Sequence, residues 1–65
     1  MEQPILVFTR KYCKDNNIRY RIKGNNKELW LYNPYTNRFM QVCYSLLNLN
    51  EEQVVESIEI FFKSV

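Results

Sequence analysis

The chain has 65 residues, of which 46% are hydrophobic and 15% aromatic, with a single glycine and two prolines. This composition excludes a disordered or linker segment and predicts one small folded domain over residues 1–65. Nine Lys and Arg against seven Asp and Glu leave a net charge of +2, which is too small to indicate nucleic-acid binding by itself. No apolar run approaches the roughly 20 residues of a membrane span, so we expect no membrane insertion.

The N-terminal residues and the two cysteines predict the cellular location of the protein. Residues 1–5 lack the basic start and the longer apolar core of a secretory signal, which predicts a cytoplasmic protein. Cys13 and Cys43 are expected to be reduced. They could form only one disulfide bond, which is few for a small secreted protein. The sequence has no histidine and no closely spaced cysteine pair, so we predict no bound metal and no other cofactor.

The first segment, residues 4–13, is compatible with a helix or a strand. As a helix it would begin at Pro4, end in the polar run 14–17, and bury one apolar stripe formed by Ile5, Phe8 and Tyr12. As a strand it would alternate its apolar residues between two faces, and its β-branched and aromatic residues favour that state. We favour the helix and keep the strand as the alternative.

The next three segments, residues 18–23, 28–32 and 39–43, alternate apolar with basic or aromatic side chains. Period two is typical of strands, so these segments predict a sheet with one apolar face and one basic, aromatic face. A type I′ turn with positive φ at Asn25 and Asn26 would join the first two strands. Its register would place Ile22 opposite Leu29. The same register would set Lys23 opposite Glu28, Arg21 opposite Trp30, Tyr20 opposite Leu31, and Arg19 opposite Tyr32.

The second turn has Pro34 at its first corner and Asn37 available for the left-handed region. This turn would make Leu31 face Met40, Tyr32 face Phe39, and Trp30 face Gln41. The three strands would then form an antiparallel meander whose two faces keep their different chemistry.

The last segment predicts a helix that starts after Asn50, because Asn50 and Gln53 can form a capping box. Its apolar residues recur every three or four positions and would cover the apolar sheet face: Val54, Val55, Ile58, Phe61, Phe62 and Val65. The predicted fold class is therefore α+β, a three-stranded antiparallel sheet with helices packed on one face in the order α-β-β-β-α.

This order and length, together with Pro4, Phe8 and the run 12–14, resemble the double-stranded RNA-binding domain. The resemblance implies two helices on one face of a three-stranded sheet. It does not carry over the activity, because that family has lysines at the start of its last helix to hold phosphates. This chain has Glu51, Glu52 and Gln53 there.

The basic, aromatic face is the candidate binding site, formed by Arg19, Arg21, Lys23, Trp30, Tyr32, Phe39 and Gln41. Trp, Tyr and Arg are enriched at the energetic centres of protein interfaces, which favours a protein partner. Cations beside rings also suit RNA or DNA, so nucleic-acid binding is the alternative. A third interpretation is an ordinary surface on which Arg21 stacks over Trp30 and Arg19 lies beside Tyr32.

A second basic group, Arg10, Lys11 and Lys14, could extend the basic, aromatic face or simply be solvated. Homodimerisation through that face is a further alternative. The chain has no histidine, no glycine-rich phosphate loop and no nucleophile beside an evident base, so we predict no enzymatic activity. The sequence therefore predicts a small non-enzymatic binding or regulatory protein.

Overall fold

The computed structural model describes residues 2–65. Its elements are α1 (Pro4–Asp15), β1 (Tyr20–Lys23), β2 (Glu28–Asn33), β3 (Arg38–Cys43), a short 3₁₀ helix (Leu46–Asn48) and α2 (Glu51–Ser64). The strands form one antiparallel sheet in the order β1-β2-β3. The predicted α+β fold and its α-β-β-β-α order are confirmed, and the first segment is a helix. Within residues 2–65, neither helix is both long and apolar enough to cross a membrane.

The core forms between the helices and the inner face of the sheet. Leu29 and Leu31 of the central strand are fully buried, as are Val54 of α2 and Leu46 of the 3₁₀ helix. At roughly 1.5–3 kcal/mol for each fully buried large apolar side chain, these contacts are the main favourable contribution to folding. They also place both helices on the same side of the sheet and leave its other face uncovered.

The buried stripe of α1 differs from the predicted one. Leu6, Thr9 and Cys13 are buried, whereas the expected Ile5, Phe8 and Tyr12 are only half-buried. Helix α1 packs against α2 as well as the sheet, so Phe8 and Tyr12 line grooves between the two helices. Thr9 is tolerated in the core because its hydroxyl donates a 2.7 Å hydrogen bond to the carbonyl oxygen of Ile5.

Helix α2 begins as predicted, but its apolar stripe is narrower. Asn50 accepts from the Gln53 amide at 2.8 Å, and the Gln53 side chain accepts from the Asn50 amide at 3.0 Å. Val54 and Ile58 are buried, and Val55 and Phe61 are half-buried. The expectation for Phe62 and Val65 is wrong, since each is 41% exposed. Phe62 faces the groove beside the end of α1, and Val65 follows the last turn of α2.

The β1-β2 register is confirmed from Tyr20 opposite Leu31 to Lys23 opposite Glu28, and the Tyr32 amide donates to the Arg19 carbonyl. The type I′ turn, however, is wrong. Positive φ occurs at Gly24 (77°) and Lys27 (56°), and neither Asn25 nor Asn26 has it. Four residues separate the paired strand ends, and loops of that length are usually built around a type I turn. Gly24 and Lys27 therefore supply the left-handed conformations that the hairpin needs.

The second hairpin pairs as predicted, with Asn37 at a φ of 57°. The alternation in β3 then breaks, because Leu29 pairs with Cys43 whereas Trp30 pairs with Gln41. Val42 is the extra residue of a β-bulge, and the bulge brings Cys43 onto the inner face, where it is 5% exposed. The predicted alternation of residues 39–43 is therefore wrong beyond Gln41.

The 3₁₀ helix after β3 has no counterpart in the sequence prediction. Its Leu46 amide donates a 2.9 Å hydrogen bond to the carbonyl oxygen of Lys27, in the turn between β1 and β2. The Leu46 side chain is fully buried in the core. The 3₁₀ helix therefore anchors the segment between β3 and α2 to the β1-β2 hairpin.

We predict that Asn50→Ala lowers the free energy of unfolding by about 1 kcal/mol, because the Gln53 amide at the start of α2 loses the side-chain oxygen to which it donates. For a domain of this size the loss corresponds to a fall of about 4–8 °C in Tm. Thermal unfolding followed by circular dichroism measures it. Asn48→Ala is the matched control, since no hydrogen bond of the Asn48 side chain is found within residues 2–65. Equal Tm values for both variants would contradict the capping role.

Candidate functional site

The seven predicted site residues lie on the outer face of the sheet, away from the helices. Trp30 and Tyr32 alternate with the buried Leu29 and Leu31, so their side chains leave the opposite side of β2. Trp30 thus shares a face with Arg21, its backbone partner on β1. The three rings are half-buried, whereas four residues are exposed: Arg19, Arg21, Lys23 and Gln41.

Each ring on the outer face is covered by one cation from β1 or from Arg19, the residue just before it. The Arg19 guanidinium carbon lies 4.3 Å from the Tyr32 ring centroid, as expected. Arg21 does not stack over Trp30, as the third interpretation of this surface would have it. Lys23 Nζ lies 4.6 Å from the Trp30 ring, and Arg21 extends across β2 to lie 4.4 Å from the Phe39 ring on β3. The three cation–ring pairs therefore connect all three strands.

Further contacts hold the rings in place. Trp30 Nε1 donates a 3.1 Å hydrogen bond to Glu28 Oε1, and Tyr32 Oη donates a 2.7 Å bond to Asn37 Oδ1. The Tyr32 and Phe39 rings meet edge to face, with centroids 5.4 Å apart. The sequence analysis missed Glu28 and Asn37 as supporting residues. Glu28 had a usable signal, because it lies two positions before Trp30 and so shares its face of the strand.

Within residues 2–65 the cations of this face form no ion pair, although Glu28 lies cross-strand from Lys23 with its carboxylate at the Trp30 indole. In the part of the chain that the structure describes, the ion pairs lie instead on α1, where Arg10 meets Glu2 at 2.7 Å and Lys11 meets Asp15 at 3.0 Å. The hydrogen bond from Arg10 lowers the pKa of the Glu2 carboxyl below its ordinary value. Arg10 and Lys11 are thus paired with carboxylates, whereas Lys14, the third cation of the second basic group, forms no ion pair within residues 2–65.

The two cysteines are not bonded to each other, and both are buried. Burial raises the pKa of Cys13 to about 11, and burial also raises the pKa of Cys43 above its ordinary value. A thiol that stays protonated near neutral pH is a poor nucleophile and a poor metal ligand. Across residues 2–65, no cluster of three His, Cys, Asp or Glu could hold a metal ion.

Comparison of the chain with protein-family models, with curated proteins and with solved structures finds no match. The functional argument therefore depends on the geometry of the outer face.

We predict that Lys23→Ala lowers the free energy of unfolding by about 0.5–1 kcal/mol, because it removes the ammonium group over the Trp30 ring. The same change alters the fluorescence emission of Trp30, the single tryptophan. Urea unfolding and an emission spectrum measure the two effects. Lys11→Ala, an exposed lysine on α1, is the control and is expected to leave the emission unchanged. Identical spectra for both variants would contradict the contact.

We also predict that stability falls as the pH rises from 9 toward 11. The folded state keeps the Cys13 proton up to a pKa of about 11, whereas the ordinary thiol value is 9.0. The folded state therefore binds more protons in this range, so the free energy of unfolding decreases with pH. Urea unfolding at the two ends of the range should show a smaller decrease for Cys13→Ala than for the unchanged protein. Equal decreases would contradict the assignment.

Proposed function

We propose that this chain is a small non-enzymatic binding or regulatory protein that binds an acidic surface of a protein partner through its outer sheet face. The observation that carries this proposal is the row of three rings, each covered by a cation that forms no ion pair within residues 2–65; the one carboxylate on the face, Glu28, bonds to the Trp30 indole. Rings and arginines held in this way are typical of the energetic centres of protein interfaces. A cytoplasmic location, proposed from the sequence alone, suits such a role.

The cation–ring pairs favour carboxylates over bases as the ligand. A base stacks on an open ring face, but Arg19, Lys23 and Arg21 already cover faces of Tyr32, Trp30 and Phe39. A guanidinium stacked on a ring still directs its N–H groups sideways and outward, where they can donate to a carboxylate in bidentate fashion. The contacts within the face also fix its side chains, which reduces the entropy lost on binding.

A non-enzymatic role agrees with the state of the chain's nucleophiles. Both thiols are buried and have raised pKa values, and the sequence has no histidine to act as a general base.

The proposal is tested by affinity capture from the source cell with two variants of the outer face and one control variant. Arg21→Gln and Trp30→Ala alter the outer face, whereas Lys14→Gln removes one cation from α1. We expect the captured protein to be lost with the first two variants and retained with Lys14→Gln, and circular dichroism verifies that each variant is folded. A partner retained equally by all variants, or no partner at all, would overturn the proposal.

Nucleic-acid binding is separated from protein binding by a titration with single-stranded and duplex oligonucleotides at two salt concentrations. Trp30 fluorescence reports directly on the outer face. We expect no saturable change, since the ring faces are occupied. Saturable binding that weakens steeply with added salt would instead assign the outer face to phosphates, because phosphate contacts release counterions.

A further inference from the structure

The two edges of the sheet differ in charge. In β1, Arg21 and Lys23 alternate with uncharged residues, and Arg19 precedes the strand. In β3, Arg38 is followed by five uncharged residues, Phe39 to Cys43. Charges on an edge strand prevent another strand from pairing with it, and an edge without them is open to pairing. The β3 edge is therefore the open one.

The backbone groups that face this open edge follow from the hydrogen-bond pattern. The Tyr32 amide donates to the carbonyl of Arg19, just before β1, so the neighbouring Leu31 directs its amide and carbonyl toward Met40 on β3. Because these groups alternate along a strand, Phe39 and Gln41 direct theirs away from the sheet. No other strand within residues 2–65 pairs with them, since β3 is last in the strand order.

An uncharged groove runs beside this edge, between β3 and α2. Its lining includes Val42 and Gln41 from β3 and Ser57, Ile60 and Ser64 from α2. Ile60 is 55% exposed, and Met40 on β3 is 44% exposed. The α2 residues at this groove follow one another at helical spacing. None of the charged residues of α2 lines the groove: Glu51, Glu52, Glu56, Glu59 and Lys63. Two of them, Glu56 and Lys63, nevertheless lie one helical turn from Ile60.

The groove can be covered without leaving its serine hydroxyls unpaired. Ser57 Oγ donates to the Gln53 carbonyl and Ser64 Oγ donates to the Ile60 carbonyl, each at 2.9 Å. A buried hydroxyl without a partner would cost about 1–3 kcal/mol, and these bonds avoid that cost. Small serine side chains also allow a second helix to approach closely.

We propose that a second copy of this chain covers the groove, through antiparallel pairing of the two β3 edges around a two-fold axis at Met40. The Phe39 backbone would then exchange hydrogen bonds with Gln41 of the other copy, and each Met40 would face its counterpart. The occupant is assigned by charge. Of the two edge strands, β3 has the longer uncharged run, Phe39 to Cys43, whereas in β1 no two uncharged residues are adjacent, so pairing β3 with a second β3 keeps the β1 cations out of the contact.

The proposed dimer leaves no uncharged strand edge open to a third copy. Both β3 edges are used in the dimer, and the edges left at the outside are the two β1 strands with their cations. Further strand addition is opposed there, so the assembly ends at two copies. The two outer faces would lie side by side on one continuous sheet.

The dimer is concentration-dependent because its interface is small. A six-residue strand is about 20 Å long, and together with the adjoining α2 surface it gives an interface at the lower end of the range for specific complexes. Sedimentation velocity from about 1 µM to about 1 mM covers the corresponding affinities. We expect the mass to rise from one copy to two over this range.

Matched variants locate the contact. Ile60→Lys places charges close to the two-fold axis and is expected to keep the protein monomeric, with at least a tenfold weaker association. Val7→Lys is the control, because Val7 is 53% exposed and lies on α1, away from the β3 edge. It is expected to leave association unchanged. A mass of one copy throughout, or equal weakening by both variants, would overturn the proposal.

Amide hydrogen exchange followed by NMR tests the register. The Phe39 and Gln41 amides should exchange more slowly as concentration rises, whereas the Tyr20 and Ile22 amides at the β1 edge should not change. Slowing at β1 instead of β3 would overturn the proposal. The dimer uses the backbone of Phe39 and Gln41 and does not use the cations of the outer face, so Arg21→Gln, which tests the proposed function, is expected to dimerise normally.

Discussion

The structure depends on the burial of one side of β2. This central strand has Leu29 and Leu31 fully buried beneath the helices, and because strand side chains alternate, Trp30 and Tyr32 must emerge on the other side. A slip of one residue in the pairing would bury the indole and expose the leucines. The hydrophobic core thus determines where the rings lie, and β1 then places its cations over them.

The cations of β1 serve the fold and the surface together. Arg19, Arg21 and Lys23 stabilise the rings and also discourage pairing at the β1 edge. β3 has no comparable set, and its bulge at Val42 lies at the end nearest the 3₁₀ helix. A chain this small has few residues to spare, so the same side chains contribute to stability, to edge protection and to the chemistry of the outer face.

Sequence patterns predicted the fold class, the strand register and the Asn50–Gln53 cap, because each depends on residues close together in the chain. They failed for the features that depend on tertiary packing. The buried stripe of α1 depends on its contact with α2. The bulge at Val42 depends on how β3 fits against β2, and the position of Arg21 depends on its competition with Lys23 for the Trp30 ring. The 3₁₀ helix at Leu46 was missed because its anchor at Lys27 is distant in sequence.

The hydrogen bond from Leu46 to the first hairpin turn also bears on how the chain opens. The segment that leads into α2 is bonded to the loop that joins β1 to β2, so detachment of the C-terminal helix would also break a contact of the first hairpin. Fragments that end at β3 lack both the hydrogen bond from Leu46 and its side chain in the core. The molecule should therefore unfold as one cooperative unit, with no stable hairpin surviving alone.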